Sequence, residues 1–209
     1  MEIGKKIAHF LLQSKSIKLE PANPFIWASG WHSPIYCDNR KTLSFPEIRK
    51  YICDSFTDEI VKNFPQPDVI AGVATGAIAH GVLVAEKMSL PFIYVRSSSK
   101  AHGMENLIEG VVEPGQKVIV IEDLISTGGS SLKAVSALRD AGCEVLGMAA
   151  IFSYGFPQAI KSFKDMDCKL ITLSNYSILL MLALESGYIS QKEANLLAEW
   201  RTDPENWNK

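Results

Sequence analysis

Residues 118–131 (VIVIEDLISTGGSS) combine acids, hydroxyls and glycines in a pattern that could do chemistry. An apolar run predicts a buried strand that ends in Glu122 and Asp123, and the small residues 126–130 then open a helix. Glycines let the backbone approach a ligand, and the free N–H groups of a helix N-terminus favour phosphate. A plain strand-to-helix connection does not explain the two acids, because burying unpaired carboxylates is costly. The pattern therefore predicts a sugar-phosphate site, with carboxylates on ribose hydroxyls and amides on phosphate.

The elements around this segment predict an α/β fold with a central parallel sheet flanked by helices. Apolar runs rich in valine and isoleucine alternate with segments of helical spacing. Such alternation is typical of a parallel sheet covered on both faces, which binds ligands at the carboxyl ends of its strands. The predicted strands are residues 68–73, 92–96, 117–123 and 143–152, and the predicted helices are residues 46–63, 77–88 and a segment that ends before Gly142.

We predict one domain over residues 1–209 with three parts. Residues 1–44 form an N-terminal helix and a small hood of short strands. Residues 45–172 form the α/β core, and residues 173–209 form a helical C-terminal tail.

Composition excludes several classes of protein. Hydrophobic residues make up 47% and charged residues 21% of the 209, which is typical of a soluble globular chain. Lys plus Arg number 21 against 23 Asp plus Glu, and this balance lacks the basic excess of a nucleic-acid binder. The longest apolar run, residues 178–184, is far short of the roughly 20 needed to cross a membrane. The four cysteines form no CxxC pair, so neither a disulfide framework nor a protein-held metal site is expected, and we expect a cytoplasmic protein.

Residues 118–131 resemble the phosphoribosyl-pyrophosphate (PRPP) motif of the type I phosphoribosyltransferases. The resemblance implies a five-stranded parallel core sheet with a variable hood. Residues 72–81 (GVATGAIAHG) occupy the position of that family's pyrophosphate loop, although an ordinary strand-to-helix turn explains them as well, since many relatives have Gly-Ile-Pro where this chain has Ala77, Ile78 and Ala79. The residues so implied in PRPP binding are Glu122, Asp123, Leu124, Ile125, Ser126, Thr127, Gly128, Gly129, Ser130, Thr75 and Gly76.

Two further segments resemble the orotate phosphoribosyltransferase family. Residues 25–40 (FIWASGWHSPIYCDNR) are similar to its hood signature, and residues 96–103 (RSSSKAHG) to its mobile catalytic loop. The resemblance implies transfer of the 5-phosphoribosyl group from PRPP to orotate, with Mg²⁺ held mainly through PRPP and water. It also implies a homodimer in which the loop closes over the neighbouring subunit's site. The implied catalytic residues are Arg96, Lys100 and His102, and the implied orotate contacts are Ser126, Ser29, Gly30 and Tyr36.

The chain departs from some relatives at three basic positions, where it has Ala28, Ser97 and Tyr154. The last replaces an arginine that contacts the substrate carboxylate in those relatives. Backbone amides near Ser29 and Gly30, or Arg40, are the open alternatives for that contact. Tyr36 is equally suited to stacking on a pyrimidine and to ordinary strand packing.

Two other functions compete with the orotate reaction. One is a PRPP-sensing regulator that acts through nucleic acid, against which stand the net charge of −2 and the catalytic-type loop. The other is a phosphoribosyltransferase for a purine base, against which stands the hood signature.

Overall fold

A computed structural model describes residues 2–27, 30–97 and 107–207, and these contain one large sheet, a small hood, seven α-helices and one 3₁₀ helix. The strands are β1 (Ile17–Leu19), β2 (Phe25–Ile26), β3 (His32–Ser33), β4 (Ile35–Cys37), β5 (Val69–Val73), β6 (Phe92–Val95), β7 (Ile108–Glu109), β8 (Lys117–Ile125), β9 (Glu144–Ser153) and β10 (Leu170–Asn175). The α-helices are α1 (Glu2–Gln13), α2 (Pro46–Asn63), α3 (Ile78–Met88), α4 (Gly129–Asp140), α5 (Pro157–Asp165), α6 (Tyr176–Glu185) and α7 (Gln191–Thr202), with a 3₁₀ helix at Asn39–Ser44.

The large sheet has the strand order β10-β9-β8-β5-β6-β7. The first five of these strands pair in parallel, and β7 adds a short antiparallel edge to β6. The predicted parallel core sheet is confirmed. Since the chain runs outward in opposite directions from β5 and β8, the order reverses between these two strands, and that switch point is where open α/β sheets bind ligands.

Strand β8 runs two residues beyond its predicted end at Asp123. Leu124 and Ile125 continue the parallel pairing, opposite Phe152 and Ser153 of β9. The two acids therefore lie within a paired strand. They follow the last described pairing of β8 with β5, which joins Gly72 and Ile121.

Helices cover both faces of the sheet. Along β8, Ile119 and Ile121 belong to the core cluster that α1, α2, α3, α6 and α7 complete. Val118 and Val120 point to the opposite cluster, beneath α4 and α5. This alternation follows from the period of two in a strand and buries β8 on both sides, as its continuous apolar run predicts.

The hood consists of two antiparallel pairs, β1 with β4 and β2 with β3. The tail helix α7 begins with a capping box at Ser190 and Glu193 and holds the hood in place, because the indole Nε1–H of the buried Trp200 donates to the carbonyl of His32 at 3.2 Å. Strand β10 reaches Asn175, so the last core strand extends three residues into the segment assigned to the tail. No helix in the described ranges is long and apolar enough to span a membrane.

Candidate active site

The two acids of β8 differ sharply in how the fold uses them. Glu122 is 5% exposed, and both its oxygens accept hydrogen bonds from the protein. Its Oε1 accepts from the backbone N–H of Asp123 at 2.9 Å, and its Oε2 accepts from the hydroxyl of Ser131 on α4 at 2.8 Å. Glu122 therefore joins the end of β8 to the first turn of α4. Both acids line the cavity beside them, and the carboxylate of Asp123 faces Gly76 across it.

Gly76 faces the carboxylate of Asp123 across the switch point. A Cβ built on Gly76 would collide with all three terminal atoms of the Asp123 side chain. A glycine is thus required there by close approach and not by a positive φ angle. The preceding Ala74–Thr75 peptide bond is cis. Because Gly76 and Asp123 approach each other this closely, the loop after β5 and the end of β8 form two walls of one site.

Burial controls the titration of this pair. Burial is the largest cause that raises the pKa of Glu122, and the charge of Asp123 raises it further. Burial also raises the pKa of Asp123, while Arg40 opposes that rise. The pair therefore holds a proton more readily than two solvated carboxylates would.

A cavity of about 450 Å³ opens over these acids, and we call it the acidic cavity. It contains seven of the residues predicted to bind PRPP, together with Cys37, Asp38, Arg40, Val73 and Ala74. The seven are Thr75, Gly76, Glu122, Asp123, Leu124, Ser126 and Ser130.

The remaining predicted PRPP residues lie in and beside the same loop. Gly128 has φ +84° and is the N-cap of α4, which begins at Gly129. The free N–H groups of that first turn thus face the end of β8, where a phosphate is favoured. Thr127 lies in the loop between β8 and α4 and is half-buried. The Ile125 side chain is fully buried in the core, which leaves only its backbone for the predicted contact.

A second cavity of about 250 Å³ adjoins the first, and we call it the aromatic cavity. Ile26, Trp27, Tyr36 and Tyr154 line it together with three residues that also line the acidic cavity. The shared residues are Cys37, Leu124 and Ser126. A flat apolar ring in the aromatic cavity would therefore lie beside a sugar phosphate in the acidic cavity, as the predicted double role of Ser126 requires.

Three residues of the hood, Asp38, Asn39 and Arg40, approach the acids; the first two escaped prediction as site residues, whereas Arg40 was predicted only as one alternative for the substrate carboxylate contact. Asn39 is fully buried, and its Nδ2 donates to the backbone carbonyl of Asp123 at 2.5 Å. Arg40 Nε donates to Asp38 Oδ1 at 2.6 Å, and both side chains line the acidic cavity. Asn39 and Asp123 are 84 positions apart in the chain, so no local sequence pattern predicts this hydrogen bond.

The other predicted residues are placed as follows. Tyr36 lines the aromatic cavity, with 38% of its surface exposed. Gly30 lies in the β2–β3 turn with φ +84°, and its N–H donates to the carbonyl of Trp27. Arg96 follows β6 and pairs with Glu109 at 3.4 Å. Ser29, Lys100 and His102 lie outside the described residues.

The oxygen donors of the acidic cavity suit a hard cation shared with a ligand. Carboxylates of Asp38, Glu122 and Asp123 line it. Within the described ranges no group of three or more His, Cys, Asp or Glu is arranged to hold a metal ion. Mg²⁺ commonly binds through one or two carboxylates, substrate phosphates and water, and this donor set fits that mode.

Known proteins share this architecture. Residues 47–182 match the family model described as the phosphoribosyl transferase domain. The fold is also that of the solved orotate phosphoribosyltransferase from Aeropyrum pernix, with a TM-score of 0.76 and 24% identity over 88% of this chain and 99% of that one. The parallel sheet, the acid pair and the adjoining cavities thus define a phosphoribosyltransferase.

Curated relatives narrow the class. Orotate phosphoribosyltransferase of Phocaeicola vulgatus is 59% identical over 98% of this chain and 97% of its own length. The enzyme of the same name from Listeria innocua is 51% identical over the full length of both chains. The chain belongs to the orotate phosphoribosyltransferase family, and the predicted family is confirmed.

Proposed function

We propose that this chain transfers the 5-phosphoribosyl group of PRPP to orotate, giving orotidine 5′-phosphate and pyrophosphate in pyrimidine biosynthesis. The observation that carries the proposal is the pair of adjoining cavities, one acidic and one aromatic, which share Cys37, Leu124 and Ser126. The full-length similarity to orotate phosphoribosyltransferases supports the choice of base.

We propose a position in the two cavities for each part of the substrates. The 5′-phosphate lies at the N-terminus of α4, where residues 126–130 offer amides and hydroxyls. The ribose hydroxyls lie against Asp123 and Glu122, and the pyrophosphate lies toward Thr75 and Gly76. The planar orotate ring lies in the aromatic cavity, so the reacting atoms meet at the shared wall.

The reaction breaks the bond between the anomeric carbon and a pyrophosphate oxygen, forms one from that carbon to N1 of orotate, and releases the N1 proton, which the departing pyrophosphate can accept. Positive charge develops at the anomeric carbon, and the carboxylate of Asp123 offsets it there. The bonds that Glu122 accepts from Ser131 and from the backbone keep this end of β8 in place. Asn39 holds the carbonyl of Asp123 from the hood side.

Magnesium belongs to the proposal on the strength of the donor set alone. PRPP oxygens and water would hold most of its coordination sphere, and the carboxylates of Asp123 and Glu122 are protein donors available in the acidic cavity. When bound, Mg²⁺ would neutralise charge on the departing pyrophosphate.

We also propose that residues 96–103 form the mobile catalytic loop of a cytoplasmic homodimer, with Arg96, Lys100 and His102 acting on the neighbouring subunit's pyrophosphate. Closure of such a loop excludes water from the site. Lys100→Ala should lower turnover far more than it weakens PRPP binding, because the ammonium acts on charge that develops in the transition state. Single-turnover kinetics with PRPP titration would measure both effects, and normal turnover in this variant would show that the loop assignment is wrong.

The decisive test of the function measures PRPP consumption with orotate, uracil, adenine and hypoxanthine as alternative bases. We expect orotate-dependent pyrophosphate release and little reaction with the other three. A preference for a purine would replace the proposed substrate. PRPP binding with no reaction on any base would favour the regulator.

A further inference from the structure

The aromatic cavity holds an unused hydrogen-bond donor. Tyr154 follows β9 and is 2% exposed, and its ring contacts Trp27 at 5.3 Å and Phe156 at 5.4 Å between centroids. Its hydroxyl makes no hydrogen bond with any described residue. The one described buried side-chain N or O that is both sealed from solvent and unpartnered belongs to His80, so the Tyr154 hydroxyl is not completely sealed. Tyr154 lines the aromatic cavity and also a cavity beside Thr172 and Tyr176, but after burial the first of the neighbouring groups that raise its pKa is Cys37, which lines the aromatic cavity.

Three other donors at or near this cavity are already engaged. Trp27 Nε1–H donates to the carbonyl of Ile35 at 3.1 Å, and the Cys37 thiol donates to Asn39 Oδ1 at 3.3 Å. The backbone N–H of Gly30 donates to Trp27. The Gly30 amide was one of the alternatives that the sequence left open for contact with the substrate carboxylate. It is already used in a hydrogen bond within the hood.

Arg40, the cation of the adjoining site, lines the acidic cavity and pairs there with Asp38. It is absent from the described lining of the aromatic cavity, where the ring of the base would bind. All side chains described in that lining are neutral in their ordinary protonation states. A carboxylate that enters an apolar cavity needs hydrogen-bond donors to offset its lost hydration.

Among the neutral donors that remain, Tyr154 is the most desolvated. Tyr36 is 38% exposed at the mouth, and Ser126 stands on the wall shared with the acidic cavity. A donor that is shielded from water makes the stronger bond to a charged acceptor and costs most when it is left unpaired. The phenol also stays protonated, because burial raises its pKa well above the ordinary value.

We propose that Tyr154 is the specificity-determining residue for the base and that its hydroxyl donates to the exocyclic carboxylate of orotate. The inference rests on the proposed function, since it names the group that distinguishes orotate from uracil in that reaction. Carboxylate recognition in this chain then depends on a neutral, desolvated phenol and not on a guanidinium.

The test uses Tyr154→Phe, which keeps the ring and its packing and removes only the hydroxyl. Calorimetry on the whole enzyme would compare orotidine 5′-phosphate with uridine 5′-phosphate, two ligands that differ only in the carboxylate. We expect the variant to bind the first about 10- to 150-fold more weakly, as a lost bond to a charged group implies, and the second unchanged. The Michaelis constant for orotate should rise, while that for PRPP stays the same.

Tyr176→Phe is the matched control. Tyr176 is 1% exposed in the same aromatic cluster, but its hydroxyl donates to the carbonyl of Leu197 at 2.7 Å. This variant should lose stability and keep the affinity for both nucleotides.

Three results would overturn the inference. The Tyr154→Phe enzyme could bind orotidine 5′-phosphate normally, it could lose both nucleotides equally, or Tyr176→Phe could reproduce its selectivity. A wild-type enzyme that does not turn over orotate would instead overturn the proposed function, so the two failures are distinguishable.

Discussion

His80 makes the stability of the fold depend on pH between the acid and neutral ranges. It lies in the first turn of α3 and is 1% exposed. Its Nε2 lies 3.2 Å from the hydroxyl oxygen of Thr42, and its Nδ1 has no hydrogen-bond partner among the described residues. Burial lowers the pKa of His80 from 6.5 to about 4.

The sign and size of the effect follow from this difference. In the unfolded chain the imidazole takes up a proton below pH 6.5, whereas in the folded chain it does so only near pH 4. The unfolded state therefore binds more protons between these values, and folding stability falls as the pH falls. The contribution of His80 to the free energy of unfolding is complete above pH 6.5. It falls by about 2 kcal/mol by pH 5, and the total loss below pH 4 is about 3 kcal/mol.

The measurement is the free energy of unfolding by urea at pH 7.5, 6.5, 5.5 and 5.0. We expect the wild-type value to fall between pH 7.5 and 5.0 by about 2 kcal/mol more than that of His80→Gln, which cannot titrate. His9→Gln serves as the control, since His9 is exposed on α1 and should leave the wild-type curve unchanged.

Only the slopes are compared, because His80→Gln also changes packing at every pH. Parallel curves for wild type and His80→Gln would refute the reasoning, since the imidazole would then titrate alike in both states. The same refutation follows if His9→Gln flattens the curve as much as His80→Gln does.

Two further predictions concern the acid pair. Gly76→Ala should lower kcat/KM for PRPP by about tenfold or more, because its Cβ displaces the Asp123 carboxylate and a displacement near 1 Å costs rate steeply; unchanged PRPP kinetics in a variant with normal unfolding would contradict this. Glu122→Gln should gain thermal stability relative to wild type as pH rises from 5 to 9. The raised pKa of Glu122 means that its contribution is full at acid pH and lost as pH rises through that pKa. Differential scanning calorimetry would measure the difference in stability between the variant and wild type at each pH. Glu144→Gln, at the exposed first residue of β9, serves as the control, and a difference that does not change with pH would refute the titration of Glu122.

The central sheet was predictable because its signal is local. Strand β5 is buried at all five positions, and β8 is a continuous apolar run that ends in acids. Such runs indicate parallel strands without knowledge of their neighbours. The end of β8 was misplaced by two residues, since an acid normally marks the end of burial, while the pairing of Leu124 with Phe152 extends the strand past both acids.

The hood side of the site was less predictable because it depends on contacts between distant segments. The phosphate-binding role of residues 126–130 is predicted from their own composition. In contrast, Asn39 approaches Asp123 only after the hood has folded onto the core, and Tyr154 lines the aromatic cavity only because Trp27 and Trp200 enclose its ring. Gly76 was predicted as a site residue from its place in the loop after β5, but the collision with Asp123 that requires a glycine there is visible only in three dimensions.

The charges of the acidic cavity explain why its acids must be buried. Asp38, Glu122 and Asp123 line it against Arg40, the one cation in its described lining, so three ionised carboxylates would repel a polyphosphate. Burial raises the pKa of both Glu122 and Asp123, which reduces that negative charge before a ligand arrives. Backbone amides at the N-terminus of α4 can then receive the 5′-phosphate without opposing charge. In the proposed reaction the ribose needs hydrogen-bond acceptors close to the donors that the phosphates need. A buried carboxyl pair with raised pKa values beside the N-terminus of α4 offers both.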